Sequence, residues 1–322
     1  MLPGWSAERI GATPEKPSYV AGDGFPAEMS VNWSGAGPEL RVLFDSLDDG
    51  AGQGGAALPV NPALPASAAE TRALAARRWG RIDEVFTPAA GRPSSAPQWH
   101  SVAWRPPARF VHKTYFGLYV WPDHQQRQAA VDEAMHRLGL AGAWDDARRR
   151  IGSAGAEREI EFFAVDLADE ADARVKIYYR NRGAGLAELD RIASVALQHD
   201  SAAAAIAYRT LTGGRDDAGE DALSCLAFRS GLDRAAEATT YLRLPSLTSG
   251  DQEAVDRTAA LLRHEGVDPQ RFRELAAALA REPLEDSRGL LELVSYRAAG
   301  RRGDVTTYFR FPVFENHTVP AC

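Results

Sequence analysis

The 322-residue chain is 45% apolar and 25% charged, an ordinary balance for a globular protein able to bury a sizeable core. Its net charge of −7 argues against the broad basic surface that a nucleic-acid partner needs. No apolar run approaches the roughly 20 residues of a membrane span, and two cysteines, Cys225 and Cys322, are too few for a disulfide framework or a thiolate metal cluster.

Met1-Leu2-Pro3-Gly4-Trp5-Ser6 has neither the basic start nor the apolar core of a secretory signal, so the expected location is cytoplasmic. The first strand pair reads Glu28–Trp33 with Leu40–Asp45, linked by Gly35-Ala36-Gly37-Pro38. A capping-box spacing, Ser67-Ala68-Ala69-Glu70, opens a predicted helix Ser67–Arg81, and the Pro-, Gly- and Ser-rich stretch from Thr87 to Gln98 reads as loop. Next comes the pair Trp99–Trp104 with His112–Val120, then a helix over Gln125–Leu138. Glu159–Val165 pairs with Arg174–Arg180 and is followed by helices over Gly185–Gln198 and Ala202–Leu211. Leu223–Arg229 pairs with Thr240–Leu244 before helices over Asp251–His264 and Pro269–Arg281. Leu291–Tyr296 with Val305–Phe311 closes the series.

A basic residue sits in the second strand of every pair: Arg41, Lys113, Lys176, Arg243 and Arg310 recur at a near-regular interval. That spacing points to five copies of one supersecondary unit. Ten antiparallel strands separated by helices form a sheet that gains by closing on itself, because closure removes the exposed edges. The expected fold is therefore α+β, a closed ten-stranded antiparallel barrel with helices outside, forming a single domain over residues 1–322. An open α+β sheet is the alternative.

Side chains alternate between the two faces of a strand. Lys113, Tyr115, Gly117 and Tyr119 share one face, opposite Thr114, Phe116 and Leu118. Arg174, Lys176 and Tyr178 oppose Val175 and Ile177; Tyr241 and Arg243 oppose Leu242 and Leu244; Tyr308 and Arg310 oppose Phe309 and Phe311. Amphipathic helices cover the apolar set, which turns the Arg/Lys/Tyr set into the lumen. Burying cations in this way is costly unless something anionic fills the space.

Converging Arg and Lys suit a diphosphate, and they stabilise it again as it departs. Tyrosine faces between the cations can stabilise an allylic carbocation and keep water from it. Glu28, on one face with Ser30 and Asn32, adds a carboxylate to a lumen otherwise dominated by cations. It is expected to stay ionised and to accept a hydrogen bond from an indole N–H. His100 is the candidate acceptor for the proton lost on rearomatisation. Asp216-Asp217-Ala218-Gly219-Glu220 superficially resembles an aspartate-rich Mg²⁺ motif, but it follows Gly213-Gly214 and reads as a solvated loop. No metal ligands are assigned. Neither a phosphate-cradling loop nor a hydrolase elbow is present.

With these residues in view, the sequence resembles the dimethylallyltryptophan synthase family of aromatic prenyltransferases, in its bacterial branch. The resemblance runs from about Phe25 to Phe314 through Glu28-Met29-Ser30-Val31, Trp99-His100-Ser101-Val102, Lys113-Thr114-Tyr115, Arg174-Val175-Lys176-Ile177-Tyr178, Leu242-Arg243-Leu244-Pro245 and Val305-Thr306-Thr307-Tyr308. It implies an αββα-repeat barrel with catalysis in the lumen. It also implies a dimethylallyl diphosphate donor, an indole acceptor such as tryptophan, no cofactor and no Mg²⁺ requirement, in a monomer or homodimer. Glu28 matches the indole-binding carboxylate. Arg41, Lys113, Arg174 and Lys176 match diphosphate ligands, with Arg243 and Arg310 added from the strand pattern. Tyr115, Tyr178 and Tyr308 match the cation shield, to which the pattern adds Tyr241. Departures at Tyr241, Arg243 and Leu293, and the lack of an acceptor-carboxylate arginine near Glu159–Phe162, leave open a tryptophan-derived acceptor or a longer donor. A phenolic acceptor and a non-catalytic barrel for a phosphorylated small molecule or lipid are the remaining alternatives.

Overall fold

A computed structural model describes residues 18–45 (save 19, 22 and 36), 78–86 (save 83), 98–152 (save 106–108), 158–167 and 173–314 (save 301 and 312). Residues 67–77 of the expected first helix and 87–97 of the expected loop lie outside them. Ten strands are present: β1 (Ala27–Ser34), β2 (Gly37–Phe44), β3 (Gln98–Arg105), β4 (Arg109–Gly117), β5 (Arg158–Leu167), β6 (Arg174–Asn181), β7 (Ala222–Arg229), β8 (Glu237–Arg243), β9 (Leu291–Arg297) and β10 (Asp304–Phe309). Each pairs antiparallel with its neighbours in chain order, and β10 pairs with β1, so the sheet closes into a barrel.

Helices intervene between the hairpins as the repeat requires. Residues 78–82 and 84–86 are helical between the first two hairpins. α1 (His124–Arg137) and α2 (Ala141–Ile151) follow the second, α3 (Leu186–Ala193) and α4 (Ser201–Thr212) the third, and α5 (Asp251–His264) and α6 (Gln270–Leu279) the fourth. Helix α2 was not expected from the sequence, because its run of Asp and Arg masks the short apolar stripe of Ala143, Trp144, Ala147 and Ile151. Local chemistry sets the helix ends. Asp123 accepts from the Gln126 amide (2.8 Å) and Asp200 from the Ala202 and Ala203 amides. Gly213 ends α4 with φ +67°, a conformation that favours glycine.

Strand alternation partitions the apolar residues into layers. Outward-facing Phe116, Phe163, Ile177 and Phe228 pack with Trp79, Phe86 and Trp144. Outward-facing Trp33, Leu242, Val294 and Phe309 pack with Tyr208, Leu262 and Phe272. A third, smaller cluster lies inside the barrel: Ala164, Tyr178, Leu223, Cys225, Tyr241 and Leu293. The helix-facing layers hold the barrel in shape, so the inner face is free to carry charge.

Phe116 is fully buried and stacks on Phe86 with centroids 4.5 Å apart. Phe116→Ala is expected to cost about 3–5 kcal/mol through lost burial and an unfilled cavity, measured as a lowered midpoint in guanidinium unfolding.

Candidate active site in the barrel lumen

The lumen is graded along its axis. At one end, alternation brings Arg41, Lys113, Arg174 and Lys176 to the inner face of β2, β4 and β6. Asp166, opposite Lys113 across the β4–β5 ladder, organises them. It accepts from Arg174 Nε at 2.7 Å and lies 3.5 Å from Lys113 Nζ. Burial opposes ionisation of Asp166, but Lys113, Arg174 and Lys176 outweigh it and hold the carboxyl well below the usual range. Lys176 stands between Ala164 and Ala227 and pairs with no carboxylate among the described residues. Burial, with Lys113 and Arg174 close by, pushes its ammonium far below the ordinary lysine value. This gap in compensation is where an anion would bind. Arg41 is partly engaged by Glu39, with Nε to Oε1 at 2.8 Å.

Beneath this cluster a second carboxylate closes the barrel. Glu237 binds Arg229 (2.7 Å) and Arg297, and lies 3.6 Å from Arg174. Burial opposes its ionisation, yet Arg297, Arg229 and Arg174 bring its pKa down to about 2.

Four tyrosines form the next layer, in a continuous arc around the wall. Ring centroids are 5.9 Å apart for Tyr115–Tyr178, 6.0 Å for Tyr178–Tyr241 and 5.8 Å for Tyr241–Tyr308. Lys113 Nζ lies 5.6 Å from the Tyr115 centroid, so the arc borders the cations directly. Burial pushes the hydroxyls of Tyr178 and Tyr241 well above the usual tyrosine value and that of Tyr308 to about 12, so the rings stay neutral at physiological pH. Phe162 and Trp99 extend the aromatic wall, with Phe162 6.2 Å from Tyr178 and Trp99 5.2 Å from Phe162. Neither was singled out from sequence.

Carboxylates occupy the far side of the arc. Glu28 is on the inner face two residues beyond Ser30, which pairs with Tyr308. Enclosure by the barrel, then the charge of Glu292, push Glu28 up to about 8 against the pull of Arg243. The expectation of an ionised Glu28 is thereby corrected, because the cation cluster is across the tyrosine arc and Arg243 is engaged elsewhere. Its Nη1 donates to Glu292 Oε1 at 2.6 Å. Glu161 is buried and held by Arg180 (Nη2–Oε1 2.5 Å), which also reaches Tyr119 and Asp221.

Three expected positions are displaced. His100 lies on the outer face: its neighbours across the ladders are Phe44 and Thr114, and its Nδ1 is 3.3 Å from the Thr114 hydroxyl. Strand alternation puts Trp99 and Ser101 inside instead, so His100 is no lumen base. Burial also brings its pKa down to about 4. Arg243 and Arg310 do not join the diphosphate cluster, because each follows its tyrosine along the strand and so falls on the carboxylate side of the arc. Arg310 lies just past β10, its amide bonded to the Leu290 carbonyl and its Nε buried without a hydrogen bond. Asp217 of the acidic loop pairs with Arg215 at 2.7 Å, and no His/Cys/Asp/Glu group suited to a metal occurs among the described residues.

A carboxyl raised from 4.5 to about 8 costs folding stability above the unfolded value, because the unfolded chain ionises first. Stability therefore falls as pH rises from 4.5 to 8. Glu28→Gln is expected to raise the melting temperature at pH 7.5, by an amount equivalent to a few kcal/mol, and to leave it unchanged at pH 4.

The chain matches the family model for tryptophan dimethylallyltransferase over residues 5–202. It is similar to the 6-dimethylallyltryptophan synthase of Micromonospora olivasterospora, solved with DMASPP and Trp. The two share 30% identity and a TM-score of 0.79, over 95% of this chain and 87% of that one. The 5-dimethylallyl tryptophan synthase of Streptomyces coelicolor, also solved with DMASPP and Trp, is 25% identical with a TM-score of 0.76, over 97% and 85%. The prenyltransferase PriB, solved with L-tryptophan and dimethylallyl thiolodiphosphate, is 25% identical with a TM-score of 0.79, over 98% and 88%. A cation cluster, a tyrosine arc and a facing carboxylate in a closed ten-stranded barrel fit that likeness, and the chain belongs to the tryptophan dimethylallyltransferase family.

Proposed function

We propose that the protein transfers a dimethylallyl group from its diphosphate to a carbon of an indole ring, with tryptophan or a tryptophan derivative as acceptor. The observation that carries this reading is the order of groups along the lumen: cations, then tyrosine faces, then carboxylates. The diphosphate binds Arg41, Lys113, Arg174 and Lys176, and its charge favours the ammonium form of Lys176 that burial and the neighbouring cations disfavour. Ionisation breaks the C1–O bond and leaves both electrons on the diphosphate, where the cations stabilise them. The allylic cation forms against Tyr115, Tyr178, Tyr241 and Tyr308, whose faces attract it. Glu28 accepts the indole N–H bond and raises ring nucleophilicity. Because the cluster itself neutralises the leaving group, turnover proceeds without a divalent metal, in the cytoplasm, in a monomer or homodimer.

Incubation with dimethylallyl diphosphate and L-tryptophan in excess EDTA is expected to give a product heavier by one dimethylallyl unit; loss of activity on chelation would overturn the metal-free reading. Lys176→Ala should raise the donor KM roughly 10- to 100-fold, the value of a charge-assisted contact, with the acceptor KM little changed. The sign of the pH dependence follows from Glu28. The reactive form is ionised, so kcat/KM for the acceptor climbs through pH of about 8 and is lost as pH falls below it. Glu28→Gln should lower turnover and erase that limb while leaving donor KM near the parent value.

A further inference from the structure

Rearomatisation requires a base, and His100 is outside the lumen. Asp166 is on the cation side of the arc, and Glu161 is buried with both oxygens bound by Arg180. Glu28 is committed to the indole nitrogen. Glu292 remains, and its position is built rather than incidental. The β9–β10 register passes from Leu293 opposite Tyr308 to Leu291 opposite Phe309, so Glu292 is the extra residue of a β-bulge. Ahead of it, buried Asp251 at the start of α5 clamps the strand entry by accepting from the amides of Gly289, Leu290 and Leu291 and from the Ser287 hydroxyl. Arg243 holds one oxygen, Oε1; Oε2 carries no hydrogen bond among the described residues.

Glu292 and Arg243 also line a cavity of about 700 Å³ at the mouth of the barrel, together with Asp221, Ser246 and Arg288. One carboxylate thus touches both the acceptor end of the lumen and a solvent-open chamber. We propose that Glu292 is the base that takes the ring proton and releases it to water through this mouth cavity, with Arg243 as its positioning residue. The inference rests on the indole prenylation proposed above. In the step itself, the new bond between prenyl C1 and the ring carbon forms from a ring π pair. The C–H pair at that carbon then returns to the ring, and the proton passes to the Glu292 carboxylate and on to solvent. The diphosphate has already left with the pair of the C1–O bond.

The test uses L-tryptophan deuterated at its ring carbons, with dimethylallyl diphosphate, on the parent protein, Glu292→Gln and Glu292→Asp. Glu292→Gln is expected to lose roughly 10²- to 10⁴-fold in kcat, the usual worth of a positioned base. It should also show a larger primary deuterium isotope effect than the parent, because C–H cleavage becomes limiting. Donor KM should stay within about threefold of the parent, as expected for an interaction made after ionisation. Glu292→Asp should recover part of kcat and reduce the isotope effect. An unchanged isotope effect with kcat near the parent value would overturn the assignment. Should the glutamine variant fail to fold, the aspartate variant decides alone: a lowered kcat with an enlarged isotope effect supports the role, and parent-like values for both reject it. Absence of prenyl transfer by the parent protein itself would instead sink the proposed function, so the two failures are distinguishable.

Discussion

Closing an antiparallel sheet decides what this protein can do. Every second residue of ten strands is forced into a shared interior, and here that interior receives Lys113, Arg174 and Lys176 close together. Such crowding is unfavourable in a low-dielectric space, and two carboxylates make it tolerable without cancelling it. Asp166 fixes Lys113 and Arg174, and Glu237 fixes Arg174, Arg229 and Arg297 beneath them. Among the described residues Lys176 forms no ion pair of its own. The cluster therefore carries an excess of positive charge that an anionic ligand would relieve, which on the proposed reading is the origin of donor binding.

The tyrosine arc gives that excess a direction. Four mutually tilted rings, with neighbouring centroids 5.8–6.0 Å apart, separate the cations from Glu28 and Glu292. In the mechanism proposed above, an allylic cation at the arc is drawn toward the leaving diphosphate on one side and faces the acceptor's electron-rich ring on the other. The aromatic wall continues through Phe162 and Trp99. The polar layer and its aromatic lid work together: cations alone would favour return of the diphosphate, and rings alone would not draw it in.

Much of this was legible in the chain. Five hairpins, their order and the inward faces of Lys113, Tyr115, Lys176 and Tyr178 follow from alternation and spacing. The second strands of all hairpins run the same way around the barrel, so a cation that precedes its tyrosine, as in Lys113-Thr114-Tyr115, lies on one side of the arc. A cation that follows, as in Tyr241-Leu242-Arg243 or Tyr308-Phe309-Arg310, lies on the other. The same alternation separates His100 from Trp99, whose partner across the ladder is Tyr115. The strand that carries Glu28 has no tyrosine to mark its height along the barrel axis, and without that marker Glu28 could not be placed away from the cations that would have kept it ionised.

Bulges explain the remainder. In β5 the register shifts between Ile160 and Phe162, which leaves Glu161 as the extra residue; in β9 the same device leaves Glu292. Each inserts an acid at the same end of the barrel, at a point where regular alternation would have supplied a different residue. Each acid then captures an arginine from a strand nearby, Arg180 and Arg243. On the proposed reading, the result is an acceptor end where Arg180 and Arg243 are already engaged, opposite a donor end where Lys176 pairs with no carboxylate among the described residues. A bulge costs one ladder position and re-aims one side chain, so it can change charge at a chosen height without disturbing the helix-facing layers. On the proposed reading, the charge of the acceptor end accordingly rests in part on two irregular residues that the five-fold repeat does not encode.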